Sequence, residues 1–279
     1  SVSACVAMLQ MNGVDWSWSV RRALGGFQEE GGSAVFYLNK DRPMGLSLNP
    51  VQLGYQCLVA LVCICYLRRI RAVTDVAILV VPLLLAGIVS CGLRSAFLGS
   101  ALFLSVALFL VPLCPVFRLA VLVLVLGTAS FTMWKYLEDV DASGAPLRVA
   151  DYRSATDSRV VLNAYSLRLF LERPVGRGLG FDSRELARDY LGDLNGMKHR
   201  DAVRTLAPHN AVAVFANAYG IAGLFVAALY LYLVARREAL LGFGLAAYLL
   251  NSFFHNAGLF VGDHNVLFIL IAAELAVLS

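Results

Sequence analysis

The amino-acid sequence predicts an all-α protein that crosses a membrane several times, a polytopic helical bundle with one large polar loop. Hydrophobic residues occupy 59% of the 279 positions and charged residues 15%, whereas soluble domains average about 45–50% and about 25%. Twelve of the 23 basic and eleven of the 19 acidic residues lie within 135–208. We therefore interpret 1–279 as one transmembrane domain into which the 135–208 loop is inserted. This composition excludes a soluble globule, a collagen-like repeat and an intrinsically disordered chain.

Seven apolar runs are long enough to cross about 30 Å of hydrocarbon as helices, which takes roughly 17–25 residues each. The runs lie near 50–67, 74–92, 95–112, 114–134, 210–235, 239–256 and 264–279. Helices satisfy their own backbone hydrogen bonds in lipid, and the runs are too long for barrel strands. Residues 1–11 look like the end of a further apolar segment. We therefore expect a partial span there and a chain whose upstream spans are missing.

Basic residues in the short connections predict the orientation, because cytoplasmic loops are enriched in Lys and Arg. Three such clusters follow alternate spans: Arg68, Arg69 and Arg71, then Arg118, then Arg236 and Arg237. If every run crosses the membrane, all three clusters are cytoplasmic. The 12–49 segment, the turn near Gly92–Ser95, the 135–208 loop and the 255–264 turn then share the outer side.

The cysteines and the net charge say little about ligands. All six cysteines lie in apolar segments, which is typical of thiols packed as small hydrophobic groups and unlike a disulfide framework or a zinc site. We predict neither a metal nor a cofactor. The net charge is +4, and the 135–208 loop is nearly balanced, so nucleic acid is not an expected partner.

Arg94 is the most costly residue in the sequence. It is the only charged residue between positions 76 and 117, at the boundary between two apolar runs. One interpretation is an arginine that extends its guanidinium to the membrane surface. The other is an arginine that faces a water-filled cavity and binds an anion, for which phosphate is the natural partner.

The polar loop contains a predicted helix in SATDSRVVLNAYSLRLFLERP. Thr156, Asp157 or Ser158 can cap its start, which would place Arg159 in the first turn. Apolar residues recur at helical spacing along it: Val160, Val161, Ala164, Leu167 and Leu171. Pro174 and the following glycines end the helix. By spacing alone, Arg159 is not distinguished from the other arginines of the loop.

His209 lies at the predicted N-terminus of the 210–235 span, between Pro208 and Asn210. A helix N-terminus disfavours imidazolium, so a neutral His is expected there, and a neutral His can act as a general base. An interfacial or helix-capping His is the alternative. GRGLGF (Gly176–Phe181) lacks the strand and helix of a dinucleotide site and is interpreted as a flexible turn. The Asp139 and Asp141 pair is interpreted as a chance acidic pair.

Four sequence blocks together resemble the O-antigen ligase/polymerase family of bacterial membrane glycosyltransferases. The blocks are RPMGLSLNPVQLG (Arg42–Gly54), GLRSAFLGSALF (Gly92–Phe103), SRVVLNAYSLRLFLERPVGRGLGF (158–181) and PHNAVAVFANAYGIAGLF (208–225). Their order and sidedness agree with the family. The chain departs from the family at two places. Ala218 stands where the family commonly has an acidic residue, and Val51-Gln52 stands where the family often has a second Asn after the Asn-Pro pair.

The resemblance implies a fold similar to GT-C glycosyltransferases and a metal-independent, inverting transfer on the periplasmic face of the bacterial inner membrane. Arg94 and Arg159 would bind the diphosphate of an undecaprenyl diphosphate-linked glycan, and His209 would activate or orient the acceptor hydroxyl. Arg42 and Asn210 are accessory candidates. The acceptor would be lipid A-core for a ligase, which we favour, or another lipid-linked glycan for a polymerase. A transporter is the alternative from another class, and the sequence shows neither the inverted repeats nor the broken spans typical of one.

Overall fold

The computed structural model describes residues 2–24, 43–47, 50–74, 80–113, 147–178, 180–197, 199–206, 208 and 210–253, with further positions between 115 and 130. Every regular element in these ranges is a helix, and none of these residues forms a strand. This confirms the all-α prediction for the described part. The chain divides into two compact units, and each is considered by itself. The first takes the described residues of 1–132 and Val234–Asn251, and the second those of 133–233 with Ser252 and Phe253.

The first unit is built mainly from apolar helices, and α2 (Asp15–Leu24) is the polar exception among its described helices. Their bounds are α1 Val2–Met11, α2 Asp15–Leu24, α3 Pro50–Arg69, α4 Val80–Ser90, α5 Arg94–Leu110 and α9 Ala239–Ser252; α6 to α8 belong mainly to the second unit. Helical residues also recur between 115 and 130. Apart from α2, which lies in the predicted outer segment 12–49, these helices coincide with the predicted apolar segments, and 264–279 lies outside the described residues.

Small residues bring the helices of the first unit close together. A Cβ added at Gly87 of α4 would lie 2.8 Å from the Cβ of Ala4 in α1, and one at Gly99 of α5 would lie 2.9 Å from the carbonyl oxygen of Ala247 in α9. Close backbone approach at small residues is the usual packing mode where lipid removes the hydrophobic drive between helices. The glycines within the apolar runs therefore allow neighbouring helices to pack closely.

Gln10 holds the 43–47 segment against α1. Its Oε1 accepts hydrogen bonds from the backbone N–H groups of Met44 and Gly45, each at 2.9 Å, and its Nε2 donates to the Gly45 carbonyl at 3.2 Å. Gln10 is only 4% exposed, so its amide is fully used in place of water. Part of the block that begins at Arg42 is thereby fixed to the first helix.

The second unit has its own small core. It comprises α6 Leu147–Glu172, α7 Ala187–Tyr190, two short 3₁₀ helices at Ser183–Leu186 and Arg200–Arg204, and most of α8 Ala211–Arg237. The core residues come from α6 and from the short elements that follow it: Val161, Leu162, Tyr165, Leu169, Ala187, Leu194 and Val203. The inner face of α6 is thus covered by the chain immediately after it.

The predicted start of α6 is wrong. The helix begins at Leu147, about ten residues before the expected cap, so Arg159 lies mid-helix rather than in the first turn. No Gly or Pro interrupts residues 147–172, and the helix continues through the candidate caps. Of the predicted apolar stripe, Val160, Leu167 and Leu171 are more than half exposed. The helix is apolar on two sides, and the short elements cover only one of them.

The helix α8 is broken at Gly220, whose backbone is non-helical with φ +66° and ψ −163°. The expectation of unbroken spans is therefore wrong for this helix. The backbone groups freed by the break are bonded by the segment after α6: the Arg177 N–H donates to the Asn217 carbonyl at 2.8 Å, and the Ile221 N–H donates to the Pro174 carbonyl at 2.8 Å. The start of the Gly176–Phe181 segment is therefore hydrogen-bonded to α8, and the prediction of a flexible turn is wrong there. We call residues 174–178 the strap.

Two described helices are long and apolar enough to cross a membrane, Val51–Arg69 and Ala211–Arg237. The other apolar helices of the described part have 10–17 residues: Val2–Met11, Val80–Ser90, Ser95–Leu110 and Ala239–Ser252. Length and composition thus support membrane association of an all-helical chain.

Candidate functional site

The N-terminus of α5 carries Arg94 as its first residue. The structure describes the backbone of Arg94, while its side chain lies outside the described part. Gly92 precedes it with φ +66° and ends the turn after α4, and Leu93 takes an extended backbone that starts the new helix without a side-chain cap. The first backbone N–H groups of α5 therefore keep the positive end of the helix dipole available to an anion.

A buried asparagine lies next to this helix start. Ser95 Oγ donates a 2.6 Å hydrogen bond to Oδ1 of Asn251, a residue of α9 that is completely buried. The amide nitrogen of Asn251 is also buried and has no hydrogen-bond partner among the described residues. A buried donor without a partner costs about 1–3 kcal/mol. We therefore expect the amide nitrogen of Asn251 to bind an acceptor. Neither Ser95 nor Asn251 was a sequence candidate, although an asparagine inside an apolar run was a usable signal.

Close packing fixes this helix start on α3. A Cβ added at Gly54 would lie 2.6 Å from Cδ1 of Leu93 and 3.2 Å from the Cβ of Ala96. Leu93 and Ala96 are themselves buried. The residues on both sides of Arg94 are therefore held by α3, and the first turn of α5 has little freedom to move.

Arg159 is placed on α6, in the second unit. Its side chain is partly buried and makes no hydrogen bond or ion pair with another described residue. The other arginines of this unit that are described to the side chain are exposed, except Arg177. The spacing of residues in the sequence does not distinguish Arg159 from these arginines, whereas the burial of its side chain does.

Arg177 is the arginine that sequence reasoning missed. Its guanidinium lies 5.3 Å from the centroid of the Phe181 ring, Nη2 donates to the Leu169 carbonyl at 3.3 Å, and Nη2 is 3.8 Å from a Glu172 carboxylate oxygen. Its side chain is only 13% exposed. These contacts anchor the strap to the end of α6, while the buried Nε of Arg177 has no hydrogen-bond partner among the described residues.

Asn217 ties α6 to α8. Its Nδ2 donates to the Ser166 carbonyl at 2.9 Å, to Ser166 Oγ at 2.8 Å and to the Ala213 carbonyl at 3.0 Å. Both Asn217 and Ser166 are buried. The helix that carries Arg159 and the helix that follows His209 are thus joined inside one unit by a single buried amide.

The remaining predicted site residues are only partly described. His209 and Arg42 lie outside the described residues. Asn210 caps α8, because its Oδ1 accepts a 3.0 Å hydrogen bond from the Ala213 N–H, as an Asn at a helix start commonly does. Its amide nitrogen bonds no other described residue.

Titratable groups near α6 are occupied by structural hydrogen bonds. Burial raises the pKa of Tyr165, whose hydroxyl donates to the Ser183 carbonyl at 2.5 Å. The hydrogen bond to Glu172 raises the pKa of Tyr190. The hydrogen bonds from Arg184 lower the pKa of Asp182, which caps the Ser183–Leu186 helix. Tyr165 and Tyr190 stay protonated at neutral pH and serve as donors.

The structure brings the sequence candidates into two groups. Arg94 belongs to the first unit, and Arg159 and Asn210 belong to the second. Among the described residues, no group of three or more His, Cys, Asp or Glu side chains could hold a metal ion. A search against family models, curated proteins and solved structures gives no match for this chain.

Proposed function

We propose that this chain is an integral membrane glycosyltransferase that moves a glycan from undecaprenyl diphosphate to a lipid A-core acceptor. The observation that carries the proposal is the N-terminus of α5, where Arg94 begins the helix beside the buried amide nitrogen of Asn251, which has no hydrogen-bond partner among the described residues. A guanidinium, free helix N–H groups and an amide donor are the groups that bind a phosphate. The resemblance of the four sequence blocks to the O-antigen ligase/polymerase family indicates that the glycan donor is linked to a diphosphate.

The chemistry requires fixed positive charge where the diphosphate leaves. Arg94 stands on a helix start that is packed on both sides, and Arg159 is a partly buried guanidinium without a described partner. Donors held in place before the reaction stabilise developing charge without reorganising. In this mechanism His209, neutral at the start of α8, takes the proton of the acceptor hydroxyl or orients it. Asn210 and Arg42 are accessory contacts to the substrates.

The proposed setting is the bacterial inner membrane, with a multi-pass, GT-C-like bundle of about seven spans and the transfer site facing the periplasm. The two long apolar helices and the shorter ones support the spans. The three arginine clusters support the orientation. The partly exposed apolar face of α6, which includes Val160, Leu167 and Leu171, supports a loop that rests on membrane lipids.

A polymerase that joins lipid-linked repeat units is the second candidate from the same family, and the observations above support it equally. A transporter is favoured by one observation, the break in α8 at Gly220, because broken helices commonly form transporter sites. The backbone groups at this break are bonded by residues 174–178 of the same chain. The break is therefore filled by the protein itself, which supports the enzyme over the transporter.

The decisive assay offers the purified chain in liposomes a lipid-linked glycan with either lipid A-core or a second lipid-linked unit. Ligase activity gives glycan attached to lipid A-core, and polymerase activity gives longer lipid-linked glycan. We expect the first product, undiminished by EDTA. Transport of the intact donor without a new glycosidic bond would overturn the proposal. Normal transfer by the His209→Ala variant would overturn the catalytic role of His209 and leave the proposed transfer standing.

The anion site at α5 is tested by Asn251→Asp. The substitution keeps an acceptor for Ser95, removes the amide donor and adds a negative charge. Losing a hydrogen bond to a charged group costs about 1.5–3 kcal/mol, so we expect at least about tenfold lower kcat/KM. Asn163→Asp, the same change at an exposed position of α6, is the control. Equal activity of both variants would remove Asn251 from the site.

A further inference from the structure

A recess of about 480 Å³ opens where α3 and α5 end, at the opposite end of α5 from Arg94. Its walls combine guanidinium groups with apolar side chains. They comprise Arg69, Ile70, Arg71, Phe109, Leu110, Val111, Pro112, Arg118 and Glu238. All of these residues belong to the first unit.

Arg69 already neutralises the negative groups of the recess. Its Nε lies 2.8 Å from Oε1 of Glu238, and its Nη1 donates to the Leu110 carbonyl at 2.6 Å. The same Glu238 oxygen accepts a 3.2 Å hydrogen bond from the Leu240 N–H. The single carboxylate among the lining residues is therefore committed.

Arg71 and Arg118 remain as positive charges without a described counter-charge. Both are exposed, and neither makes a hydrogen bond or ion pair through its side chain within the described part of the chain. Arg71 has φ +58° at the end of α3, where the Ala72 N–H donates to the Leu67 carbonyl at 2.9 Å. This left-handed position after a helix is usually Gly, because a side chain is strained there. The sequence nevertheless has an arginine at this position.

Apolar side chains stand beside these charges. Phe109 is 84% exposed and Ile70 is 51% exposed, although both line the recess. A free inorganic anion gains nothing from contact with exposed apolar side chains, whereas a phospholipid has a charged phosphate next to apolar chains. The lining thus matches both the phosphate and the chains of a lipid.

We propose that this recess binds the headgroup of an anionic phospholipid, with Arg71 and Arg118 on the phosphate and Phe109 and Ile70 along the acyl chains. Guanidinium groups match phosphate geometry, and each Arg near an anionic membrane surface contributes about fivefold to binding. The proposal rests on membrane association and is independent of glycan transfer.

The test measures thermal stabilisation of the purified full chain in neutral detergent during titration with phosphatidylglycerol, phosphatidylcholine or inorganic phosphate. We expect phosphatidylglycerol to stabilise the protein at lower concentration than phosphatidylcholine, and phosphate to have no effect. Arg71→Gly with Arg118→Gln should weaken the phosphatidylglycerol response by roughly 25-fold, about fivefold per charge. Arg188→Gln, which removes an exposed charge of the second unit, should leave the response unchanged.

Equal responses to the two lipids, or a preference that survives in the double variant, would overturn the proposal. Stabilisation by inorganic phosphate that is lost in the double variant would also overturn it, because the recess would then bind the free anion. Arg71→Gly suits the left-handed backbone and should fold. If the double variant does not fold, Arg118→Gln alone tests the same recess, with an expected loss of about fivefold in the phosphatidylglycerol response.

Discussion

The two units of the molecule bury polar groups in different ways. In the first unit, buried polar side chains lie singly among apolar helices and bond specific partners, as Gln10 bonds the 44–45 backbone. In the second unit, charged side chains pair at the surface, as Arg168 and Asp193 do at 3.2 Å with both about half exposed. Exposed pairs contribute about 0–1 kcal/mol, whereas a buried unpaired group is costly.

This difference changes what marks a functional residue in each unit. Among the apolar helices, the marked residue is Asn251, whose buried amide nitrogen lacks a described partner beside the start of α5; the buried hydroxyl of Ser100, farther along α5, also lacks one. In the charged unit, where most arginines are exposed or paired, it is the partly buried arginine without a described partner, Arg159. The same question, where each polar atom finds its hydrogen bond, identifies both.

The largest expected effect comes from substituting the candidate arginine of each unit. Arg94→Ala and Arg159→Ala should each lower kcat for glycan transfer by about 100-fold to 1000-fold, the range for removing one donor that stabilises transition-state charge. Arg188→Ala, an exposed arginine of α7, should leave kcat unchanged. Transfer by purified variants in liposomes measures this. A loss confined to one of the two variants would mean that only one unit supplies a guanidinium to the reaction.

The next effect tests the strap on α8. Gly220→Ala forces a side chain onto a backbone with φ +66° and into the Pro174 and Val175 main chain, so we expect about 3 kcal/mol of destabilisation. Gly192→Ala, where a Cβ meets open space, should change stability by less than about 0.5 kcal/mol. Thermal unfolding in detergent compares the two. Equal unfolding temperatures would show that the strap is not docked on the break.

A smaller effect compares one buried hydrogen bond from each unit. Asn217→Ala removes the bonds that join α8 to Ser166 and should cost about 2 kcal/mol. Ser95→Ala removes the bond to Asn251 and should cost under about 1 kcal/mol, as hydrogen bonds between membrane helices usually contribute. Unfolding temperatures of both variants give the order. The reverse order would contradict the assignment of Asn217 as the main tie between α6 and α8.

The smallest effect concerns the carboxylate of Asp182 at the surface. Its folded-state pKa is lowered by Arg184, so the charge stabilises the fold above the unfolded pKa of about 3.9 and this stabilisation is lost as pH falls through the lower folded value. Asp182→Asn keeps a helix cap and should cost a few tenths of a kcal/mol at about pH 7. At about pH 3, below the unfolded pKa, the difference from the parent should shrink. A constant difference at both pH values would rule out the charge as its source.

Much of the fold could be predicted because apolar run length maps directly onto helices. Pro50–Arg69 and Ala211–Arg237 coincide with predicted runs. The start of α6 could not be predicted, since Thr156 and Ser158 cap a helix only if the chain before them is not helical. Which of the two apolar sides of α6 is covered could not be predicted either, because periodicity does not distinguish them.

The sequence by itself determined that the chain is helical and apolar, that Arg94 is an isolated charge, and that Arg159 lies on a helix. These follow from composition and spacing, which are local. Only the tertiary structure decided that Arg94 begins a helix beside Asn251, 157 positions away in the chain, whose amide nitrogen has no partner among the described residues. It also decided that residues 174–178 bond the backbone at the Gly220 break. Partners for hydrogen bonds are found in space, and spacing along the chain does not contain them.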